Sequence, residues 1–216
     1  MKILHILANP QPTEDAASKQ IAAKFFMKIA ELGNEDTEVH NSDLYQEPPP
    51  PLSFEQYRNF WYPVMIEGYV PTKEDITASE YAVAQAEKVL GSDVLVISTP
   101  MWNYSIPGIV KSWLDHIFCP GLLYDMTKDG ACVPKHSIKQ VILLVSSDEV
   151  FKEGDPREAF TPAINAMFES IGVEEISFAW ADGQSPLLSR EFESRKNLAF
   201  EMAEELAEEI LEIQPA

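Results

Sequence analysis

The run Val94-Leu-Val-Ile-Ser98 passes directly into Thr99-Pro-Met-Trp-Asn-Tyr-Ser-Ile-Pro-Gly-Ile-Val-Lys-Ser-Trp-Leu-Asp115. A short β-branched run without alternation reads as a strand buried on both faces, as in a parallel sheet. The proline-bracketed turn ends that strand, and the pattern restarts as a helix near Pro107. In open α/β sheets ligands bind just beyond the carboxyl ends of strands, where this turn falls. Its side chains suit a flat heteroaromatic ligand: Trp102 and Tyr104 offer ring faces, and Asn103 an amide that both donates and accepts.

Working outward, five apolar strand candidates lie at residues 3–7, 37–41, 94–98, 141–146 and 176–181, separated by helical patterns. Such alternation implies a parallel sheet covered by helices on both faces. The first helix carries Ile21, Phe25, Ile29 and Leu32 on one side and closes at Gly33. A second is expected over 77–90, stopped by Gly91. Another takes Thr161 as N-cap and Pro162 as its first helical residue, ending at Gly172. The last repeats Leu198, Met202, Leu206 and Ile210 on one side. Before the second helix, the prolines at 48–51 form a stiff extended spacer. Six of the 22 aromatic residues follow within positions 54–69. That stretch reads as a core-covering helix or as a surface that another subunit or a planar substrate covers.

At 216 residues, 45% hydrophobic and 10% aromatic, the chain suits a single α/β domain over 1–216, with a Pro/aromatic-rich insertion at about 47–72. Net charge is −19, from 35 acidic and 16 basic residues, which disfavours nucleic acid and anionic membrane surfaces as partners. The acids Glu201, Glu204, Glu205, Glu208, Glu209 and Glu212 mark a solvated outer face of the last helix. No apolar run reaches membrane-spanning length. The opening Met1-Lys-Ile-Leu-His-Ile-Leu7, followed by Asn9-Pro10, reads as strand and turn and not as a signal peptide. Cys119 and Cys132 lack metal or CxxC spacing and read as reduced thiols, so a cytoplasmic protein is expected. The four histidines lack ligand spacing and no G-x-S-x-G elbow occurs, so no metal site and no serine hydrolase are expected.

The segment Pro100-Met-Trp-Asn-Tyr-Ser-Ile-Pro107, with Lys111 and Asp115 downstream, resembles the P-x-[WY]-N-[FY]-x-x-P signature of the flavodoxin-like FMN-dependent NAD(P)H quinone and azo reductases. The resemblance implies a flavodoxin-like fold, a five-stranded parallel sheet of order 2-1-3-4-5. It implies FMN with its ring against Pro100, Met101, Trp102, Asn103 and Tyr104, and its phosphate at the loop after the first strand. In that loop Asn9 stands where the family places a hydroxyl residue, and Ala16-Ala17-Ser18 where it has a serine-rich helix start; backbone N–H groups there still favour an anion. After the fourth strand the family's Ser/Thr-x-Gly-Gly turn corresponds to Ser146-Ser147-Asp148-Glu149, so Ser146 and Ser147 join the candidate site. Both glycines are replaced by acids, which would set negative charge beside the ring.

The implied activity is reduction of a small-molecule quinone or azo acceptor by NADH or NADPH, by ping-pong hydride transfer through the flavin, in a homodimer that builds its sites between subunits. The cofactor carries that chemistry, so no catalytic side chain is demanded. His116 and His136 flank the region and read as satisfied structural histidines. A reading from a different class also stands: a flavodoxin-like module with a degenerate flavin site, serving as a non-catalytic interaction or regulatory protein. The alanines at 16–17 and the acids at 148–149 motivate it.

Overall fold

The computed structural model describes residues 1–33 and 36–212. In chain order its elements are β1 (Lys2–Leu7), α1 (Ala17–Leu32), β2 (Glu38–Asp43), α2 (Phe54–Met65), α3 (Lys73–Ala78), α4 (Glu80–Leu90), β3 (Val94–Pro100), α5 (Gly108–Ile117), β4 (Tyr124–Met126), β5 (Cys132–Pro134), β6 (Gln140–Ser146), α6 (Phe160–Ser170), β7 (Glu175–Ala181) and α7 (Phe192–Leu211). The main sheet is wholly parallel, in the order β2-β1-β3-β6-β7. This is the expected 2-1-3-4-5 arrangement, renumbered by the antiparallel hairpin β4–β5. Three-residue strands carry too few side chains for a period of two to show in a sequence.

Strands β3 and β6 are buried along their whole length. Alternate residues feed two cores. Leu95 and Ile97 join Trp113, Leu114 and Phe160 on the face of α4, α5 and α6, while Val94 and Val96 join Phe25 and Ala203 on the face of α1 and α7. The outer strand β2 pairs only with β1 and exposes Glu38, His40 and Asn41.

Ile21, Phe25 and Ile29 are buried along α1 as expected, whereas Leu32, expected on the same side, is exposed in the last turn. The helix stops at Gly33, where a Cβ would lie 2.5 Å from the Ile29 carbonyl oxygen.

Three helix expectations need correction. The 77–90 helix is two helices, because Thr72 and Asp75 close a capping box that starts α3 early. Ser79 then stands between α3 and α4, its hydroxyl donating to the Asp75 carbonyl at 2.8 Å. The N-cap of α6 is Ala159, not Thr161. Glu158 Oε1 takes the backbone N–H groups of Phe160 and Thr161, both at 2.8 Å, and Pro162 falls within the first turn, where no N–H is needed. On α7 the buried residues are Ala199, Ala203, Ala207 and Ile210; of the expected stripe Ile210 is buried and Met202 and Leu206 pack partly against the same core. Leu198 is 57% exposed; α7 packs against α1, and three of the four buried residues on α7 are alanines.

The region after β2 is tied down at two points. Ser53 caps α2 by accepting from Gln56 N–H. His116, fully buried on α5, lies 2.8 Å through Nε2 from the Pro50 carbonyl and 2.8 Å through Nδ1 from Gln56 Nε2. A carbonyl only accepts, so Nε2 carries the proton and Nδ1 accepts from Gln56. Burial holds the imidazole below its ordinary range. The second point is Asp75, which accepts from Arg58 Nε at 2.9 Å, from Tyr69 Oη at 2.6 Å and from Thr72 N–H at 2.9 Å. The Tyr69 hydroxyl and its other donors hold that carboxyl well below the usual carboxylate range. Of the aromatic stretch, Phe60 is buried and Trp61 packs partly on the core, while Phe54 and Tyr57 are exposed.

Candidate functional site

Three loops leave the carboxyl ends of β1, β3 and β6. The β3 loop is built from a tight reversal: Trp102 N–H donates to Ser105 O at 3.2 Å and Ser105 N–H to Trp102 O at 3.0 Å. The two central residues take left-handed backbone, Asn103 at φ +48° and Tyr104 at φ +67°. Such a two-residue turn demands positive φ twice, and Asn-Gly is its usual filling. Asparagine adopts the conformation readily; for tyrosine it costs about 1–2 kcal/mol. Strain of this kind persists where neighbours over-determine it. Here Ala159 N–H donates to Tyr104 O at 3.0 Å, the Tyr104 hydroxyl donates to Glu149 Oε1 at 3.2 Å, and the ring stands edge-on to Phe151 at 6.3 Å. Met101 N–H reaches the Ser146 carbonyl at 2.7 Å, which fixes the start of the turn to β6. Lys111 and Asp115 pair across one turn of α5.

The β6 loop supplies the facing wall. Ser147 is buried, its hydroxyl donating to Glu149 O at 3.0 Å and accepting from Trp180 Nε1 at 2.9 Å. Neither Asp148 nor Glu149 takes positive φ. Gly183, at φ +63°, packs against this turn, its N–H donating to Glu149 O at 3.1 Å. A Cβ on Gly183 would lie 2.8 Å from Val150 Cγ2. Glu149 is paired: Arg157 Nη1 donates to its Oε2 at 2.7 Å. The neighbouring Asp155 carboxylate, two-pronged on the same guanidinium, pushes Arg157 up and is itself held down by it.

The β3 and β6 loops line an open cavity of about 430 Å³ formed by Met101, Trp102, Asn103, Tyr104 and Ser147 together with Asp148, Glu149 and Phe151. Trp102 is 41% and Tyr104 45% exposed, so ring faces are open to a ligand. Of the residues expected at the site, these five meet around one cavity. Pro100 and Ser146 pair with each other behind it. Asn9, Ala16, Ala17 and Ser18 stand at the end of β1, outside its lining. There Asn9 Oδ1 accepts from Gln11 N–H at 3.0 Å, and its Nδ2 donates to the buried Ser18 hydroxyl at 3.2 Å. Ala16 is the N-cap of α1, with no side-chain cap on the helix start.

Phe151 and Arg157 belong to the site and are silent in the sequence; Gly154 and Pro156 mark a turn nearby, but nothing local says where it folds. Other candidates for chemistry are occupied. His136 Nε2 lies 3.1 Å from the Ile171 carbonyl, and Nδ1 accepts from Ile138 N–H at 3.2 Å. Burial pushes the Cys119 thiol up to about 12, which keeps it protonated and unreactive.

A doubly wound parallel sheet whose β3 and β6 loops meet at the carboxyl ends of the strands, beside the strand order's reversal, defines an α/β protein with a switch-point ligand site. The chain belongs to the flavodoxin-like fold family, whose pattern it matches over residues 1–206. It is 29% identical over 210 residues to an FMN-dependent NADH:quinone oxidoreductase from Coprothermobacter proteolyticus, covering 96% of this chain and 98% of the relative. With FMN-dependent NADH:quinone oxidoreductase 2 from Hahella chejuensis it shares 26% identity over 193 residues, 88% and 93% of the two chains. Among solved structures it is similar to an FMN-dependent NADH-azoreductase from Bacillus anthracis in complex with FMN, with TM-score 0.80, 21% identity and coverage of 97% and 98%. Among the described residues no helix is long and apolar enough to cross a membrane.

Proposed function

We propose that this chain is an FMN-dependent NADH oxidoreductase that reduces quinones and/or azo compounds. The observation that carries the reading is the left-handed aromatic turn at the carboxyl end of β3, walling one side of the 430 Å³ cavity. That volume lies within the range of small-ligand sites, and Trp102, Asn103 and Tyr104 give it ring faces and an amide for a flat heterocycle. The start of α1 fits a phosphate: its first-turn N–H groups have no side-chain cap, the dipole favours negative charge there, and Glu14 and Asp15 are exposed. FMN, when bound, would supply hydride transfer in two half-reactions, first from the nicotinamide and then to the acceptor. The chain's own residues bind and orient: Met101–Tyr104 carry the ring, Ser147 braces the facing wall, and the N-terminus of α1 takes the phosphate. The full-length likeness to proteins named as FMN-dependent NADH:quinone oxidoreductases supports the cofactor, the activity and NADH as donor.

The same reading includes a homodimer, a cytoplasmic location, and a single domain over 1–216 in which 47–72 is an insertion. Exposed Phe54, Tyr57, Met65, Ile66 and Val70 form an apolar stretch along and beyond α2 that suits a subunit contact. Light scattering at micromolar concentration is expected to give twice the monomer mass; a monomer would refute the dimer. The test of the function is titration of the purified protein with FMN. Quenching of flavin fluorescence with a one-to-one endpoint is expected, followed by flavin bleaching on addition of NADH. Absence of quenching at tens of micromolar, a threshold of roughly −6 kcal/mol, would overturn the enzyme and favour a non-catalytic module.

A further inference from the structure

We propose that Glu149 and Arg157 form a latch that positions Tyr104 and offsets the Glu149 charge in the wall facing the flavin ring. This rests on the reading that the cavity takes that ring. Nothing in the family signature supplies these residues, because glycine stands in that pattern where Glu149 stands here.

The wiring is specific. Both carboxylate oxygens of Glu149 are used, Oε1 by the Tyr104 hydroxyl at 3.2 Å and Oε2 by Arg157 Nη1 at 2.7 Å. Arg157 is held from behind by Asp155, whose Oδ1 takes its Nε at 3.2 Å and its backbone N–H at 3.0 Å, and whose Oδ2 takes Nη2 at 2.8 Å. The guanidinium therefore spans two carboxylates in a fixed plane, a geometry lysine does not reproduce. It also lies over two rings of the cavity corner, Tyr104 at 5.8 Å and Phe151 at 5.6 Å. With Ala159 N–H on the Tyr104 carbonyl, the loop grips the one bulky residue that holds a left-handed backbone among the described residues. An exposed ion pair alone adds little to stability. The consequence of this one is geometric and electrostatic. An unpaired Glu149 would oppose electron uptake by a neighbouring ring; Arg157, shared with Asp155, offsets part of that charge and leaves the trio with one net negative charge, beside Asp148. Arg157 is thus a positioning residue that acts through Glu149 and Tyr104.

The test compares Arg157→Gln, Glu149→Gln and Arg157→Lys with the parent. The midpoint potential of bound FMN is the main readout, and near-ultraviolet circular dichroism of the FMN-free protein the second. Arg157→Gln leaves the Glu149 and Asp155 carboxylates unpaired and is expected to move the potential down; Glu149→Gln leaves Arg157 paired with Asp155 alone, with one negative charge fewer, and is expected to move it up. Each shift should reach a tenfold change in the ratio of reduced to oxidised FMN affinity, about 30 mV for a two-electron couple. Arg157→Lys keeps the charge and should stay within threefold of the parent. A merely structural latch moves the first two variants in the same direction, and that result, or shifts under threefold in both, overturns the proposal. If the parent binds no FMN, the functional reading fails separately. The positioning half is then judged on the FMN-free protein, where both glutamine variants are expected to lose aromatic ellipticity and an unchanged spectrum overturns it.

Discussion

His5 shows what burial does to one titratable group. The ring is 3% exposed, wedged 2.8 Å from Asn41 Oδ1 and 2.9 Å from Ser98 Oγ, with Phe26 tilted over it at 4.5 Å. Desolvation lowers it from 6.5 to about 4, against the opposing pull of Asn41 and Asp43. The unfolded chain therefore takes a proton near pH 6.5 that the folded chain refuses until about pH 4. Stability is full above pH 6.5 and falls as pH drops through that window, by about 3 kcal/mol at 1.36 kcal/mol per unit. Urea unfolding at pH 7 and pH 4.5 is expected to show most of that loss in the parent and a smaller difference in His5→Gln; equal slopes would refute it. At this scale the sequence was informative wherever chemistry is local. Trp102, Asn103 and Tyr104 were legible because a turn between two prolines leaves few conformations. Glu149 was legible only as an adverse charge, since its partner Arg157 and its acceptor role toward Tyr104 depend on strand ends that meet only after folding.

Among elements, the pairing of α1 with α7 depends on small side chains. Ala199, Ala203 and Ala207 present methyl groups where the two helices meet, and all three are fully buried. Replacing Ala203 by Leu inserts three carbon atoms into this contact and is expected to cost about 1–3 kcal/mol. Thermal or urea unfolding will read this, and an unchanged midpoint would mean that the helices separate without penalty. Of the stripe expected on α7, Ile210 is buried and Met202 and Leu206 pack partly on the core, while Leu198 is exposed and the fully buried positions between them are taken by alanines. The strands fared better. Their runs are apolar on both faces because both faces are covered, so period and burial point the same way. Breaks such as Ser79 escaped notice because a capping box and a helix interior look alike until the Thr72–Asp75 bonds are seen.

For the whole molecule, the excess of carboxylates matters most. With a net charge of −19, self-repulsion loosens the compact state, and added salt screens it. Raising sodium chloride from 10 to 150 mM is expected to lift the melting temperature by about 2–4 °C, the shift that ~1 kcal/mol produces at this chain length. A flat calorimetric response would place the charges too far apart to matter. Beyond the melting point, this charge also governs what the outer strand β2 can do. A terminal strand leaves one row of peptide groups ready to pair with a strand from another chain, and ionised flanking side chains are what hinder that pairing. On β2 those guards are Glu38 and Asp43, with His40 between them. The chain's isoelectric point is about 4.5, so mild acid removes the general repulsion between molecules that otherwise keeps such an edge from meeting another chain. The strand that closes the sheet at neutral pH then becomes the place where aggregation by strand addition would start, which makes acidic storage the condition to avoid.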